Sequence, residues 1–396
     1  MATSAQKIRA YQGPLFFQRG FRPFFLSAAL FAGLAMPLWV ASLMHDVPFA
    51  SYLEGRAWHI HEMIFGYVAA VVVGFLLTAV PNWTGRLPVV GGPLAGLWLL
   101  WIAGRVAIGF SAFSPIAGAV VDSAFLVVFS GLIWREILGG KNKRNYPVAV
   151  IVSLFAASNL FFHYMSLNDL DTGLAERGAL GIVAILIALI GGRVTPSFTR
   201  NWMAANNLSP LPASMDKIDK ASMVLSVAGV VSWVLMPDHM VTGFVMLIAG
   251  MSILARMARW RTLAVVSETI VVILHVAYLW LPIWFFLMAA AIFSDGFIDS
   301  ASALHALSAG AIGTMTMAMM TRASLGHSGK AIHATAMIKA MYGLIIVGAF
   351  IRIFATALPV DYLHAVGLAG MLYALGMLLF VIHFAPMFFK KNVLRS

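Results

Sequence analysis

Apolar runs of about 20 residues recur from one end of the chain to the other, and this recurrence limits the fold more than any other feature. A helix of that length crosses the hydrocarbon core of a bilayer, which is about 30 Å thick. The runs are continuous and do not alternate with polar residues, which favours helices over the strands of a barrel. Their approximate ranges are 21–44, 58–80, 92–111, 115–138, 146–165, 176–195, 219–236, 239–257, 264–293, 300–320, 334–357 and 361–385.

Composition agrees with a membrane protein. The chain is 61% hydrophobic and only 10% charged, whereas soluble domains are about 45–50% apolar and about 25% charged. We therefore predict an all-α, polytopic membrane bundle of about 12 transmembrane helices, with residues 1–396 forming a single integral membrane domain. No small-residue cleavage site follows the first run, so we interpret that run as a retained span and not as a signal peptide.

Basic residues are concentrated in alternate connections, which predicts the orientation of the helices. They cluster in residues 7–22, 135–144, 256–261 and 390–395. Acidic residues mark the odd-numbered connections by contrast, namely Asp46, Glu54, Asp169, Asp171, Glu176, Asp238, Asp295, Asp299 and Asp361. Lys and Arg mark the cytoplasmic side, so both termini are expected in the cytoplasm. The net charge of +11 then lies mostly on that face, where it suits anionic lipid. We expect the lipid bilayer as a partner and no nucleic acid.

A weak internal repeat relates three parts of the chain. It aligns His61, Glu176 and His305, and the same offset later aligns "TAVPNWTG", "RVTPSFTR" and "RASLGHSG". The alignment predicts three four-helix units near residues 21–138, 146–257 and 264–385. Repeats in membrane proteins often place a binding site at their interface.

Five histidines are the candidate metal ligands. His59 and His61 open the second span, His163 closes the fifth and His305 opens the tenth, all at the predicted outer end, and His275 is placed near the middle of the ninth. Neutral imidazole ligates both haem iron and copper, and thiolate ligands are excluded because the chain has no cysteine. His61 and His305 are the first choices.

Two alternatives stay open for these histidines. His59 and His61 point about 200° apart on a helix, so we expect them to serve different partners. Each histidine is also explained by a hydrogen bond to backbone or water at a helix end.

Charged residues inside the spans need partners, because charge is costly in lipid. Arg105 pairs either with Asp122 or, together with Arg352, with the propionates of a haem. Glu62, next to the histidine pair, is the candidate catalytic residue as a proton carrier or hydrogen-bond group. Its place in a first helical turn also suits the helix dipole.

Four stretches of this sequence resemble the signature stretches of the NnrS family. They are "GFRPFFL", "HIHEMIFGYVAAVVVGFLLTAVPNWTG", "GGRVTPSFTR" and "LHALSAGAIGTMTMAMMTRASLGHSG", and the resemblance extends from about residue 19 to the end. It implies a protein of the bacterial inner membrane with twelve spans, haem and copper, linked to denitrification and to the nitrosative stress response. Three four-helix units also resemble the catalytic subunit of haem–copper oxidases. This chain departs from that arrangement because its sixth span offers Glu176 and Arg193 in place of histidine.

Three functions are consistent with these features. The first is a membrane protein that holds haem b, with copper as a second candidate metal, and binds nitric oxide or a related small gas near the periplasmic face. The second is a nitric oxide reductase-like enzyme, which requires an electron donor that the sequence does not identify. The third is a transporter of metal or small solute that uses the repeat interface. The sequence leaves enzymatic activity open.

Overall fold

A computed structural model describes residues 10–294 and 297–390, and within them it is helical, with no strand. The ends of the basic N-terminal arm and tail, residues 7–9 and 391–395, lie outside the described residues. Twelve helices in the described ranges are long and apolar enough to cross a membrane, which confirms the predicted class and number. They are α1 (Phe21–His45), α2 (Gly55–Thr84), α3 (Gly92–Gly109), α4 (Pro115–Gly139), α5 (Lys143–Leu167), α6 (Gly173–Ala205), α7 (Lys217–Leu235), α8 (Met240–Trp260), α9 (Thr269–Phe293), α10 (Ser300–His327), α11 (Ala336–Ile353) and α12 (Tyr362–Phe389).

Most predicted boundaries are close, but three differ in ways that matter. Helices α6 and α10 continue well beyond their apolar runs, so that His327, predicted in a connection, lies in the last turn of α10. Helix α9 begins at Thr269 because the preceding Thr262–Val265 forms a separate 3₁₀ turn. His275 is therefore in the second turn of α9, and its predicted place near the middle of the span is wrong.

Among the described residues, three helices contain a π-helical segment, in which each backbone N–H bonds to the carbonyl five residues earlier instead of four. The segments are Glu62–Val68 in α2, Ile187–Gly191 in α6 and Ala306–Ile312 in α10. In α2 and α10 the segment begins immediately after a histidine, His61 or His305. These two histidines are two of the three positions that the predicted repeat aligns. The repeat itself stays a prediction.

Contacts between helices divide the chain into two compact units. The first comprises Met1–Ala179, Ala323–Lys330 and Met377–Ser396, and the second comprises Leu180–Arg322 and Ala331–Gly376. In the first unit, α4 packs against α2, α3 and α5, and 72% of the apolar window of α2 is buried. In the second, α9 is the central helix and contacts α6, α8 and α10. The deeply buried positions of α2 and α4 are where polar side chains require the most explanation.

Candidate metal centre

Three helices of the first unit bring potential metal ligands to one point. His61 of α2, Asp122 of α4 and His163 of α5 are 0%, 2% and 3% exposed. The Nε2 atoms of the two histidines are 3.3 Å apart. The Oδ2 atom of Asp122 lies 3.2 Å from His61 Nε2 and 2.9 Å from His163 Nε2. One ligand atom of each residue thus forms a nearly equilateral triangle.

The size of this triangle suits a single bound ion. Imidazole nitrogen and carboxylate oxygen bind first-row metals at about 2.0–2.2 Å, which places neighbouring donors of a tetrahedral or octahedral ion about 2.8–3.6 Å apart. All three observed separations fall in or at the edge of that range. The three donors occupy one face of such an ion, so the opposite side is free of protein ligands from this cluster.

Neighbouring groups hold the ligands in place. His61 Nδ1 donates to Glu62 Oε1 at 2.9 Å, and Arg105 Nη1 donates to the same oxygen at 2.6 Å. Arg105 Nη2 donates to Asp122 Oδ1. The pairing of Arg105 with Asp122, one of the two predicted alternatives, is the one present. Glu62 fixes the ring of His61 as carboxylates fix metal-bound imidazoles in other proteins.

Two contributors were missed at the sequence level. Asn159 Nδ2 donates to Asp122 Oδ2 at 2.8 Å, and the hydroxyl of Tyr52 lies 2.6 Å from His163 Nδ1. Burial raises the pKa of Tyr52 above its ordinary value, which keeps the phenol protonated. Asn159 precedes His163 by four residues, hence shares its helix face, and could have been found. Tyr52 lies in a connection and carried no signal.

The local backbone makes room for Arg105. A methyl group at Gly66 would approach Arg105 Nη1 to 2.7 Å, so glycine here lets the guanidinium cross the surface of α2 to reach Glu62. Gly66 belongs to the π segment, and its carbonyl accepts a hydrogen bond from Trp101 Nε1 of α3 at 3.0 Å. The π segment and the small side chain together shape the wall of the site.

The electrostatics favour a cation. Two carboxylates, Glu62 and Asp122, face one guanidinium, Arg105, so the cluster carries a net charge of −1 when both imidazoles are neutral. Phe65 and Phe162 pack against His61, with ring centroids 5.4 Å away in each case. A charge in such surroundings is poorly solvated, and a positive ion held by these residues would offset it.

The other predicted ligand of α2 faces elsewhere. His59 stacks on Trp39 of α1 with ring centroids 4.0 Å apart, while His61 points into the cluster. The two histidines serve different partners, as expected from their spacing. Trp39 also lines a cavity of about 420 Å³ at the connection between α1 and α2.

His275 belongs to the second unit and is fully occupied by hydrogen bonds. Its Nε2 lies 2.7 Å from Thr199 Oγ1 and its Nδ1 2.9 Å from Thr262 Oγ1. It stands 18 residues before the end of α9, a rise of about 27 Å, whereas His305 lies near the start of the next helix. His275 and His305 therefore lie towards opposite ends of this helix pair and do not share a metal.

His305 is differently arranged. Its Nδ1 donates to the carbonyl of Ala301 at 2.6 Å, and its Nε2 makes no hydrogen bond within residues 10–294 and 297–390. Arg352 of α11 lies near the ring of Tyr362. The Nε and Nη1 atoms of Arg352 are buried without a hydrogen-bond partner among the described residues.

The two histidines first chosen as ligands differ in the cofactor they fit. His61 Nε2 faces His163 and Asp122 at little more than 3 Å, so a porphyrin cannot lie in front of it. The His61 cluster fits an ion and does not fit haem. His305, with Nδ1 anchored to Ala301, is the residue that could ligate a haem iron, and the two unbonded nitrogens of Arg352, which also interacts with Asp299, could bind a propionate.

The fold and this cluster define a multi-pass membrane protein with a buried group that could hold a metal ion. The model of the family described as NnrS protein matches residues 15–392. The match covers nearly the whole chain, so the protein belongs to the NnrS family, as its motifs indicated. Among curated proteins, none matches the chain.

Proposed function

We propose that this NnrS-family protein is a membrane metalloprotein of the nitric oxide response, in which His61, His163 and Asp122 hold one copper ion. The observation that carries the proposal is the triangle of donor atoms, buried inside a helical bundle and sized for one ion. Family membership indicates the link to nitric oxide. Imidazole suits copper, and the chain offers no thiolate as a competing ligand.

Each surrounding residue has a distinct role in this proposal. Glu62 holds the Nδ1 proton of His61 so that Nε2 presents its lone pair. Arg105 offsets part of the carboxylate charge, and Phe65 and Phe162 exclude water. A metal ion held by these three residues would supply a coordination position for nitric oxide. As a small uncharged gas, nitric oxide reaches a buried site through the lipid.

We place the protein in the bacterial inner membrane with both termini in the cytoplasm. The alternation of basic and acidic connections supports this orientation. It puts the start of α2 and the end of α5, and hence the metal site, near the periplasmic face.

The test is metal analysis of the purified, full-length protein. We expect about one copper per chain in the wild type, loss of that copper in His61→Ala and His163→Ala, and retention in His364→Ala. His364 is a matched control because it is exposed and contacts only Asp361 of its own turn. Addition of nitric oxide should change the electron paramagnetic resonance spectrum of the wild type and of the control variant, and should leave the spectra of His61→Ala and His163→Ala unchanged. Equal copper in all four proteins would overturn the assignment.

A b-type haem at His305 is the second candidate, favoured by the partnerless nitrogens of Arg352 and the anchored ring of His305. A purified protein with such a haem shows a Soret band that shifts when nitric oxide is added. We expect the band to disappear in His305→Ala and to persist in His61→Ala. A band that survives in His305→Ala would exclude this ligand.

A further inference from the structure

Tyr52 contacts the His61 cluster from a connection outside the membrane-spanning helices. It lies in the connection between α1 and α2, where its N–H donates to Ser111 Oγ at 3.1 Å. Ser111 Oγ is also 3.0 Å from Ser51 Oγ and donates to the carbonyl of Ile108 at 2.8 Å. The backbone at Tyr52 is thus tied to the end of α3, which fixes the position of the phenol beside His163.

Without a metal, the protons of the cluster have one consistent arrangement. Glu62 is held as an acceptor by Arg105, so His61 carries its proton on Nδ1 and Nε2 is bare. His163 Nε2 faces two acceptors, Asp122 Oδ2 and the bare His61 nitrogen, so its proton is on Nε2. His163 Nδ1 is then bare, and Tyr52 donates to it across 2.6 Å.

A bound metal requires a different arrangement at His163 alone. Both Nε2 atoms must present lone pairs to the ion, and His61 already does so. His163 has to carry its proton on Nδ1, from where it donates to the oxygen of Tyr52. The imidazole keeps one proton throughout and the phenol keeps its own, so no charge is created by the exchange.

We propose that Tyr52 is a positioning residue for the metal ligand His163, and that the hydrogen bond between them reverses direction when the metal binds. The inference rests on the proposed metal site. A phenol is suited to this role because it both donates and accepts. Phenylalanine would satisfy neither state, and a carboxylate would satisfy only the loaded one.

The experiment compares Tyr52→Phe with Tyr164→Phe in the full-length protein, using copper and a competing chelator to measure Kd. Tyr164 is next to His163 in sequence but is 57% exposed, which makes it the matched control. Loss of a group that orients a metal ligand weakens binding by about 10–100-fold. We expect that weakening for Tyr52→Phe, an altered copper resonance spectrum, and wild-type values for Tyr164→Phe. Binding by Tyr52→Phe within twofold of wild type would overturn the proposal.

A vibrational measurement tests the reversal directly. In protein labelled with isotopic tyrosine, the phenol C–O band should shift on copper loading in the wild type, and the shift should be absent in Tyr52→Phe. A wild-type band that does not move on loading would overturn the reversal.

Ser111→Ala separates the hydroxyl from the loop that carries it, because it frees the Tyr52 N–H and keeps the phenol. It should weaken copper binding less than Tyr52→Phe does. An equal effect would show that the loop alone matters and would refute the role of the hydroxyl. A wild type that binds no copper fails the proposed function instead, so the two failures are distinguishable.

Discussion

Replacing Asp122 by asparagine removes one charge from the centre of the cluster and is expected to destabilise the metal-free protein by about 3 kcal/mol. Asp122 is 2% exposed and accepts hydrogen bonds from Arg105, Asn159 and His163. Breaking a buried ion pair costs about 3–5 kcal/mol because the remaining charge is left uncompensated. Glu62 still faces Arg105 in the variant, which puts the expectation at the lower end of that range.

The orientation of the new amide adds to the cost. If its oxygen stays on Arg105, its NH₂ group faces Asn159 Nδ2 and His163 Nε2, which are donors. If the amide turns over, its NH₂ group meets the guanidinium. At least one buried donor therefore loses its acceptor in either orientation, and such a loss costs about 1–3 kcal/mol on its own.

The assay is equilibrium unfolding in mixed detergent micelles, with a chelator present so that metal binding does not contribute. Asp361→Asn is the control, because that carboxylate is exposed, bonds only to His364 and Leu363 at the start of its own helix, and asparagine caps a helix equally well. A loss of about 3 kcal/mol corresponds to a change of roughly 150-fold in the unfolding equilibrium. Unfolding of Asp122→Asn within about 1 kcal/mol of the control would refute the account of the cluster as a tightly coupled ion-pair network.

A double-mutant cycle assigns the loss to the pair itself. Arg105→Met alone leaves two buried carboxylates facing each other, whereas adding it to Asp122→Asn removes both charges of the pair. Residues in direct contact show coupling energies of about 0.5–3 kcal/mol, and we expect at least about 1 kcal/mol here. Additive effects would place the stabilisation of Asp122 in its bonds to Asn159 and His163.

Three further outcomes follow from the same contacts. Glu62→Gln should weaken copper binding by about 10–100-fold in a chelator competition, because the carboxylate that orients His61 is lost. His275→Leu should leave the copper content unchanged while lowering the free energy of unfolding by about 1–3 kcal/mol, because two threonine hydroxyls lose their partner. Asp299→Ala removes the cap of α10 and should lower thermal stability by about 1 kcal/mol at neutral pH. Burial raises the pKa of Asp299, but hydrogen bonds from Ala301 and Ser302 outweigh it and hold the pKa below its ordinary value. The deficit of Asp299→Ala should therefore be full at pH 7 and shrink in melts as the pH falls through that lowered pKa.

Hydropathy was sufficient to predict the twelve helices, because a bilayer forces long apolar runs to satisfy their own backbones. It misplaced the start of α9 at residue 264, since residues 264–266 are apolar but lie in and directly after the separate 3₁₀ turn Thr262–Val265. Because of that error, His275 was predicted near the centre of the membrane and was interpreted as a metal ligand. In the structure both of its ring nitrogens are hydrogen-bonded to threonine hydroxyls.

The candidate site was partly predictable for a similar reason. Charged groups inside spans are few, so Glu62, Arg105 and Asp122 stood out, and the pairing of Arg105 with Asp122 was one of the options. Which histidine joins them depends on the rotation of each helix, which sequence does not specify. The choice of His163 over His305 as the neighbour of His61, and the contribution of Tyr52 from a connection, required the structure.

A second buried group of ion pairs, in the second unit, offers a comparison with the cluster around Asp122, because its charges are balanced by one another. Arg256 donates from Nε to Asp219, from Nη1 to Tyr278 and the carbonyl of Ala188, and from Nη2 to the carbonyl of Gly192. The cluster contains no histidine, and Arg259 pairs with the same Asp219 and with an adjacent aspartate, Asp216. Two arginines thus balance two aspartates, and the donors of Arg256 are satisfied by carboxylate, phenol and backbone.

The cluster around Asp122 breaks that balance. It has one guanidinium for two carboxylates, and the Nε2 atoms of His61 and His163 both lie close to Asp122 Oδ2. Buried charges contribute little net stability compared with well-packed apolar side chains, so an unbalanced set of this kind favours the proposed metal site over a purely structural role. The proposed metal cation between His61, His163 and Asp122 would supply the missing positive charge, and it would be ligated by both Nε2 atoms once His163 carries its proton on Nδ1.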